Sequence, residues 1–166
     1  GKSGEIGQFC QSVTGINPQS ELVTRKGVEL AFAYRSSNLE DLLMLQATFG
    51  LQRENIDEIT RHMRTLWITK KALQPFSFQS AGCIFKNPLD GPSAGQLIDQ
   101  AGLKNTRVGG AVVSSVHANF IVNDASATSA DILNLSRQIQ QTVLQQSGIK
   151  LEPEVFFINE FGERID

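Results

Sequence analysis

Metal-binding and cross-linking residues are scarce in this chain. Its two cysteines, Cys10 and Cys83, lie far apart with no C-x-x-C spacing, and its two histidines, His62 and His117, add no ligand pattern. A disulfide framework, a zinc knuckle and any other metal site are therefore not expected. No excess of one charge exists either, since 15 Lys and Arg stand against 17 Asp and Glu with the signs interspersed. Without a basic stripe a nucleic-acid partner is not expected. No apolar run reaches the length that crosses a bilayer, and Gly1-Lys2-Ser3-Gly4-Glu5 has no charged-then-apolar export pattern. The expectation is a cytoplasmic monomer with no membrane partner. Internal repeats and low-complexity segments are also missing. What remains is an ordinary globular composition, 40% hydrophobic and 19% charged over 166 residues, enough to bury a core.

Unusual residues concentrate between Ser80 and Pro88, in S-A-G-C-I-F-K-N-P. Gly82 lets the backbone approach a ligand or adopt a conformation closed to other residues, and Pro88 ends the apolar run Cys83-Ile84-Phe85 by removing a donor. Cys83, Lys86 and Asn87 are left on one turn. The plain reading is a short strand entering that turn, with Cys83 as a small buried hydrophobe.

Around this stretch the period of the sequence changes twice. Ser12–Ile16, Glu21–Thr24, Val28–Tyr34 and Leu42–Leu51 read as strands separated by turn residues, with Tyr34-Arg35-Ser36-Ser37-Asn38 as a polar loop. Asn55 followed by Glu58 has the form of an N-cap, and Ile56, Ile59, Met63, Leu66 and Trp67 recur at helical spacing to about Leu73, a stripe expected to be core. Arg61, Arg64, Lys70 and Lys71 form its expected wet side. Gln74-Pro75 stops this helix and marks a domain boundary. Beyond it, Ser93 with Gln96 opens a short helix over 94–101, closed by Gly102. Thr106–Ser114 and Ala118–Val122 are β-rich. Thr128 with Asp131 opens a second long helix that Gly148 closes, and Leu151–Ile158 reads as a final strand.

The polar residues that look out of place are Arg35, Cys83, Lys86, Asn87, Lys104, His117, Asn119 and Glu154, each at a strand end or beside a glycine. Local reading leaves two classes of chemistry open. Cys83, His117 and Asn119 form a Cys-His-Asn set for nucleophilic catalysis. Alternatively Lys86, Lys104, Asn87 and Asn119 bind an anionic small molecule, with Glu154 and Arg35 tuning a proton transfer. Gly109 and Gly110 serve close backbone approach or a bulge, with a ligand role and a structural role both open.

The runs G-C-I-F-K-N-P, S-A-G-Q-L-I-D-Q-A-G-L-K, V-G-G-A-V-V-S with H-A-N-F-I-V-N, and L-E-P-E-V, together with F-A-Y-R-S-S at Phe32–Ser37, resemble in order the C-terminal part of the UDP-N-acetylenolpyruvoylglucosamine reductase (MurB) family. The resemblance implies an α+β chain. Residues 1–74 would be the end of a FAD-binding domain plus a connecting helix. Residues 75–166 would be a UDP-sugar-binding domain with a mostly antiparallel sheet and helices on one face. It implies a flavoenzyme of peptidoglycan synthesis that passes hydride from NADPH through FAD to an enolpyruvyl UDP-sugar. Arg35 would stabilise the substrate carboxylate and enolate, and Glu154 would be the active-site glutamate. Cys83 stands where the family often has a proton-donating serine, and a thiol, with an ordinary pKa of about 8.5, is at least as willing a donor. Lys86, Asn87, Lys104, His117 and Asn119 would line the UDP-sugar site, with Lys104 on the diphosphate. The family's glycine-rich FAD segments lie upstream of the matched region, so the chain alone is expected neither to hold FAD nor to reduce substrate. The alternative is a nucleotide-sugar binding module without redox activity.

Overall fold

The structure, a computed structural model, describes residues 4–165. The chain forms two compact units that divide between Ile59 and Thr60.

In the first unit, β1 (Cys10–Ile16) and β2 (Leu22–Lys26) form an antiparallel hairpin in which Ile16 faces Leu22. Asn17 closes its turn, its Oδ1 accepting from the backbone N–H groups of Gln19 and Glu21 at 3.0 and 2.9 Å. The expected strand over Val28–Tyr34 does not form. Its start is a 3₁₀ turn, Gly27–Glu29, and only β3 (Phe32–Ala33) pairs, with β4 (Ser36–Ser37). Glu29 captures the Lys26 N–H at 2.9 Å, so a local side-chain bond competes with the strand. β5 (Leu43–Phe49) then pairs with β1, giving the order β2-β1-β5. Val13, Leu39 and Leu42 are the buried cluster of this unit.

Helix α1 (Ile56–Leu73) begins where Asn55 Oδ1 accepts from Asp57 N–H at 2.8 Å, as its cap residue predicts. Its apolar stripe was expected to be core, yet the helix has no buried residue, and Trp67 is 57% exposed. Periodicity shows that a face can be buried; it does not say what covers it.

The second unit is built on an antiparallel sheet ordered β6-β9-β8-β7, from β6 (Gln79–Cys83), β7 (Arg107–Val108), β8 (Ala111–Val113) and β9 (Phe120–Asn123). Ala111, Val113 and Ile121 alternate onto one face. There they meet α2 (Ala94–Gln100) through Leu97 and Ile98 and α3 (Ser129–Ser147) through Leu135, Ile139 and Val143. Each such valine, leucine or isoleucine side chain contributes about 1.5–3 kcal/mol by leaving water. Both helices start on the capping boxes read from sequence, Ser93 with Gln96 and Thr128 with Asp131, and Gly148 ends α3 in the left-handed region at φ 72°.

The tight chain crossing at Gly109-Gly110 is structural. A Cβ on Gly110 would meet Ala125 O and Ala127 N, and one on Gly109 the Asp131 carboxylate. The expected strand over Leu151–Ile158 is broken. Only β10 (Phe157–Ile158) pairs, with β11 (Arg164–Ile165), and Pro153 makes a single bridge to Phe85. Proline cannot donate to a ladder, which limits pairing there.

Candidate functional site

The turn that carries Cys83 is assembled from three distant stretches. β6 runs beside β9 with a bulge between Ser80 and Cys83, and Gly82 makes it possible by taking φ 88°. No atom lies within 4 Å of where a Gly82 Cβ would be, so conformation and not crowding requires glycine there. After Cys83 the chain leaves the ladder and is taken up by the segment 152–154. Glu154 N–H donates to Ile84 O at 2.7 Å, and Lys86 N–H donates to Glu152 O at 2.9 Å, on either side of the Phe85–Pro153 bridge. Cys83 and Glu154, 71 positions apart, are thereby tied to adjacent peptides. Ile84 and Phe85 are each 1% exposed and anchor this junction in the core.

Cys83 itself is half-buried. It pairs across the sheet with Phe120, and directly opposed residues share a face. By the same register Val122 and Val112 lie on that face, which is the one turned away from α2 and α3. A cavity of about 420 Å³ opens over it, with Val112 and Val122 at its floor and Lys71, Phe76, Phe78, Arg107 and Ser114 among its walls. Glu154 is also half-buried. Its Oε2 is buried with no hydrogen bond on it, while the residue is engaged through other contacts.

The remaining expected residues fall into separate environments. Lys86 lies 3.7 Å from a carboxylate oxygen of Glu152, and Asn87 Oδ1 accepts from Ala94 N–H at 3.0 Å at the start of α2. His117 Nδ1 accepts from the Asn119 backbone N–H at 3.2 Å, and its ring meets Phe120 edge-on with centroids 4.9 Å apart. Asn119 is 3% exposed, and its amide is spent on the Phe85 backbone at both ends. The Cys-His-Asn reading therefore fails. In such a set the amide orients the imidazole, whereas here the amide is turned to another peptide. Lys104 stands past the end of α2 in a partly exposed ion pair with Asp99, 2.7 Å long. Arg35 belongs to the first unit. It sits in the two-residue turn between β3 and β4 at φ 58°, with its guanidinium 5.8 Å from the centre of the Tyr34 ring. A left-handed conformation costs a residue with a β-carbon roughly 1–2 kcal/mol, so the turn holds Arg35 in place against that cost.

The sequence did not single out the cavity walls. Lys71 read as the wet side of α1, and Arg107 and Ser114 as ordinary strand residues. Cross-strand pairing, which sets the shared face, was the missing information.

Residues 74–158, just over half of the chain, match the model of the family described as UDP-N-acetylenolpyruvoylglucosamine reductase, C-terminal domain. The reductase of that name from Protochlamydia amoebophila is 43% identical over 149 residues, which cover 89% of this chain and 49% of that one. The one from Oceanobacillus iheyensis is 38% identical over 159 residues, covering 95% of this chain and 52% of that one. The crystal structure of UDP-N-acetylenolpyruvylglucosamine reductase (MurB) from Thermus caldophilus superposes with a TM-score of 0.78 at 36% identity, covering 93% of this chain and 56% of that one. The chain thus spans about half the length of the curated relatives it matches. It belongs to the UDP-N-acetylenolpyruvoylglucosamine reductase family, with which it shares the C-terminal domain.

Proposed function

We propose that this chain supplies the substrate-binding part of a reductase converting UDP-N-acetylglucosamine enolpyruvate to UDP-N-acetylmuramate in peptidoglycan precursor synthesis. The observation that carries the reading is the pair of backbone bonds joining residues 84–86 to 152–154, which brings the Cys83 thiol segment beside the Glu154 carboxylate segment. Reduction of the enolpyruvyl alkene leaves an enolate that must be protonated. In this reading Cys83 donates the proton from sulfur, Glu154 acts at the same centre, and the Arg35 guanidinium stabilises the enolate and the substrate carboxylate. Lys86, Asn87 and His117 contact the UDP-sugar, and Lys104 is the cation for its diphosphate, exchanging Asp99 for the ligand. None of these residues lines the cavity of about 420 Å³ on the same sheet face, so the reading rests on the Cys83 turn and not on that cavity.

FAD and NADPH are the cofactors this reading requires. The described residues do not by themselves fit a flavin dinucleotide. In the first unit Gly7, Gly15 and Gly50 are covered by Phe32, the Leu43 carbonyl and Gln11, and Gly27 is an isolated left-handed turn residue with nothing near it. Among the described residues of this unit no run of glycine amides is available to cradle a diphosphate. Most of the flavin binding is assigned to the half of the relatives' length that this chain does not span, so hydride delivery needs that half while the protonating groups are in this one. Residues 1–74 are then the end of the flavin-binding domain with its connecting helix, and residues 75–166 hold substrate. That poor fit favours, for the chain alone, the second reading of a nucleotide-sugar binding module without redox activity.

Both readings require nucleotide-sugar binding at the Cys83 turn. At ten times its Kd, UDP-N-acetylglucosamine should slow alkylation of Cys83 about tenfold and leave Cys10 unaffected. Absence of saturable protection would overturn the site assignment. Chain mixed with FAD and then desalted should carry no flavin spectrum, and stoichiometric retention would overturn the division of labour.

A further inference from the structure

We propose that Asn119 is a positioning residue that sets the Cys83 thiol from the neighbouring strand, and not a ligand contact; the inference rests on reading Cys83 as the proton donor. Past Cys83 the chain departs from β6, and the Phe85 peptide, in a residue only 1% exposed, no longer has a ladder partner on β9. A buried peptide left without partners would cost about 1–3 kcal/mol for each unsatisfied group. The Asn119 side chain replaces the missing strand. Its Oδ1 accepts from Phe85 N–H at 3.0 Å, and its Nδ2 donates to Phe85 O at 2.8 Å. Its own carbonyl accepts from Ile84 N–H at 2.9 Å. One residue thus holds the two consecutive residues that follow the thiol. The role needs a short side chain offering one donor and one acceptor, which asparagine provides and aspartate, when ionised, does not.

Asn119 is itself held in place. Its N–H donates to His117 Nδ1, and the imidazole packs on Phe120. Gly95 of α2 leaves room for both, since a Cβ there would lie 3.2 Å from His117 Cε1 and 3.7 Å from Asn119 Cβ. Helix α2, His117 and Asn119 therefore form one line of contacts ending at the Cys83 turn, independent of the bonds that segment 152–154 makes to the other side of it.

The test is the pH profile of Cys83 reactivity toward 2,2′-dithiodipyridine in the intact chain, with each thiol quantified by peptide mapping and Cys10 as internal reference. Asn119→Ala should release the turn and raise the Cys83 rate about tenfold at neutral pH with Cys10 unchanged, because thiol reactivity follows exposure and local environment. Asn119→Asp should match the parent at acid pH, where the protonated carboxyl can still donate to Phe85 O. It should match Asn119→Ala once that carboxyl ionises, giving a step that neither other chain shows. His117, Lys86, Glu152 and Glu154, the titratable groups around the turn, are common to all three chains, and Asn119→Ala, which adds no charge, serves as the control for them. Cys83 rates within twofold of the parent in both variants at every pH would overturn the proposal. So would loss of folding in both variants at every pH, which would make Asn119 a requirement of the whole core. Altered Cys83 rates together with failure of UDP-N-acetylglucosamine to protect the parent would retain the positioning role and reject the functional reading.

Discussion

In the first unit three apolar side chains, Val13, Leu39 and Leu42, form the buried cluster, whereas in the second a continuous cluster runs from Ile84 through α2, β8, β9 and α3 to Leu151. The contrast is sharpest between β5 and β9. β5 reads L-M-L-Q-A-T-F, apolar on both faces in the manner of a strand covered on both sides, yet all seven residues are exposed. β9 reads F-I-V-N and its first three residues are buried. Apolar content alone therefore does not make a core; it must be matched by a second layer within the same chain. In the first unit, directed polar contacts carry much of the local order. Arg25 makes a two-pronged ion pair with Asp41, and the Asn38 side chain bridges Glu29 O and Ala31 N–H at 2.8 and 2.9 Å. The pair holds the Asp41 carboxyl below the usual carboxylate range, through the Arg25 hydrogen bonds first.

Four measurements would break or sharpen this comparison. The largest effect is expected from Gly110→Ala, whose Cβ would collide with backbone at Ala125 and Ala127. Fixed atoms cannot yield, so the second unit should lose about 3 kcal/mol or more in denaturant unfolding. Leu135→Ala, at a site with 0% exposure, should cost about 2–5 kcal/mol, against less than about 0.5 kcal/mol for Leu45→Ala on β5, which is 56% exposed. Equal costs for the two would end the contrast between the units. Removing the α2 cap with Ser93→Ala should cost about 1 kcal/mol and loosen the Asn87 end of the Cys83 turn, read as faster amide exchange at Ala94 and Gln96. The smallest effect is one of pH. Backbone and side-chain bonds from Thr128 hold the Asp131 carboxyl below its ordinary value of 3.8. Its stabilisation is then complete above that value and disappears as pH falls through the lowered folded value. Asp131→Asn should flatten the acid limb of the stability profile and leave the neutral region nearly level; an unchanged acid limb would remove Asp131 from the account.

Much of the fold was legible where local chemistry is decisive. The caps at Asn55, Ser93 and Thr128 and the stop at Gly148 depend on side chains within a few residues of the backbone they satisfy, and α1, α2 and α3 begin and end within a residue or two of the positions read. The expected strands at Val28–Tyr34 and Leu151–Ile158 failed because β-propensity competes with contacts that lie outside any window: Glu29 reaching Lys26, and Pro153 offering no donor. At the site, Cys83, Glu154, Lys86 and Asn87 were nameable from their motifs, but Asn119 looked the same in sequence whether it faced a ligand or a peptide. Only its partner distinguishes the two, and that partner lies 34 positions away.

The sequence by itself determined the helix limits, the left-handed glycines and the set of polar residues gathered at strand ends, because each follows from sterics or hydrogen bonding over a turn or less. Tertiary structure decided which of those polar groups were already spent. The bonds joining 84–86 to 152–154, the Asn119 amide on Phe85, and the shared face of Cys83, Phe120 and Val122 all come from strand register, which is fixed by burial of the whole sheet and not by any single segment.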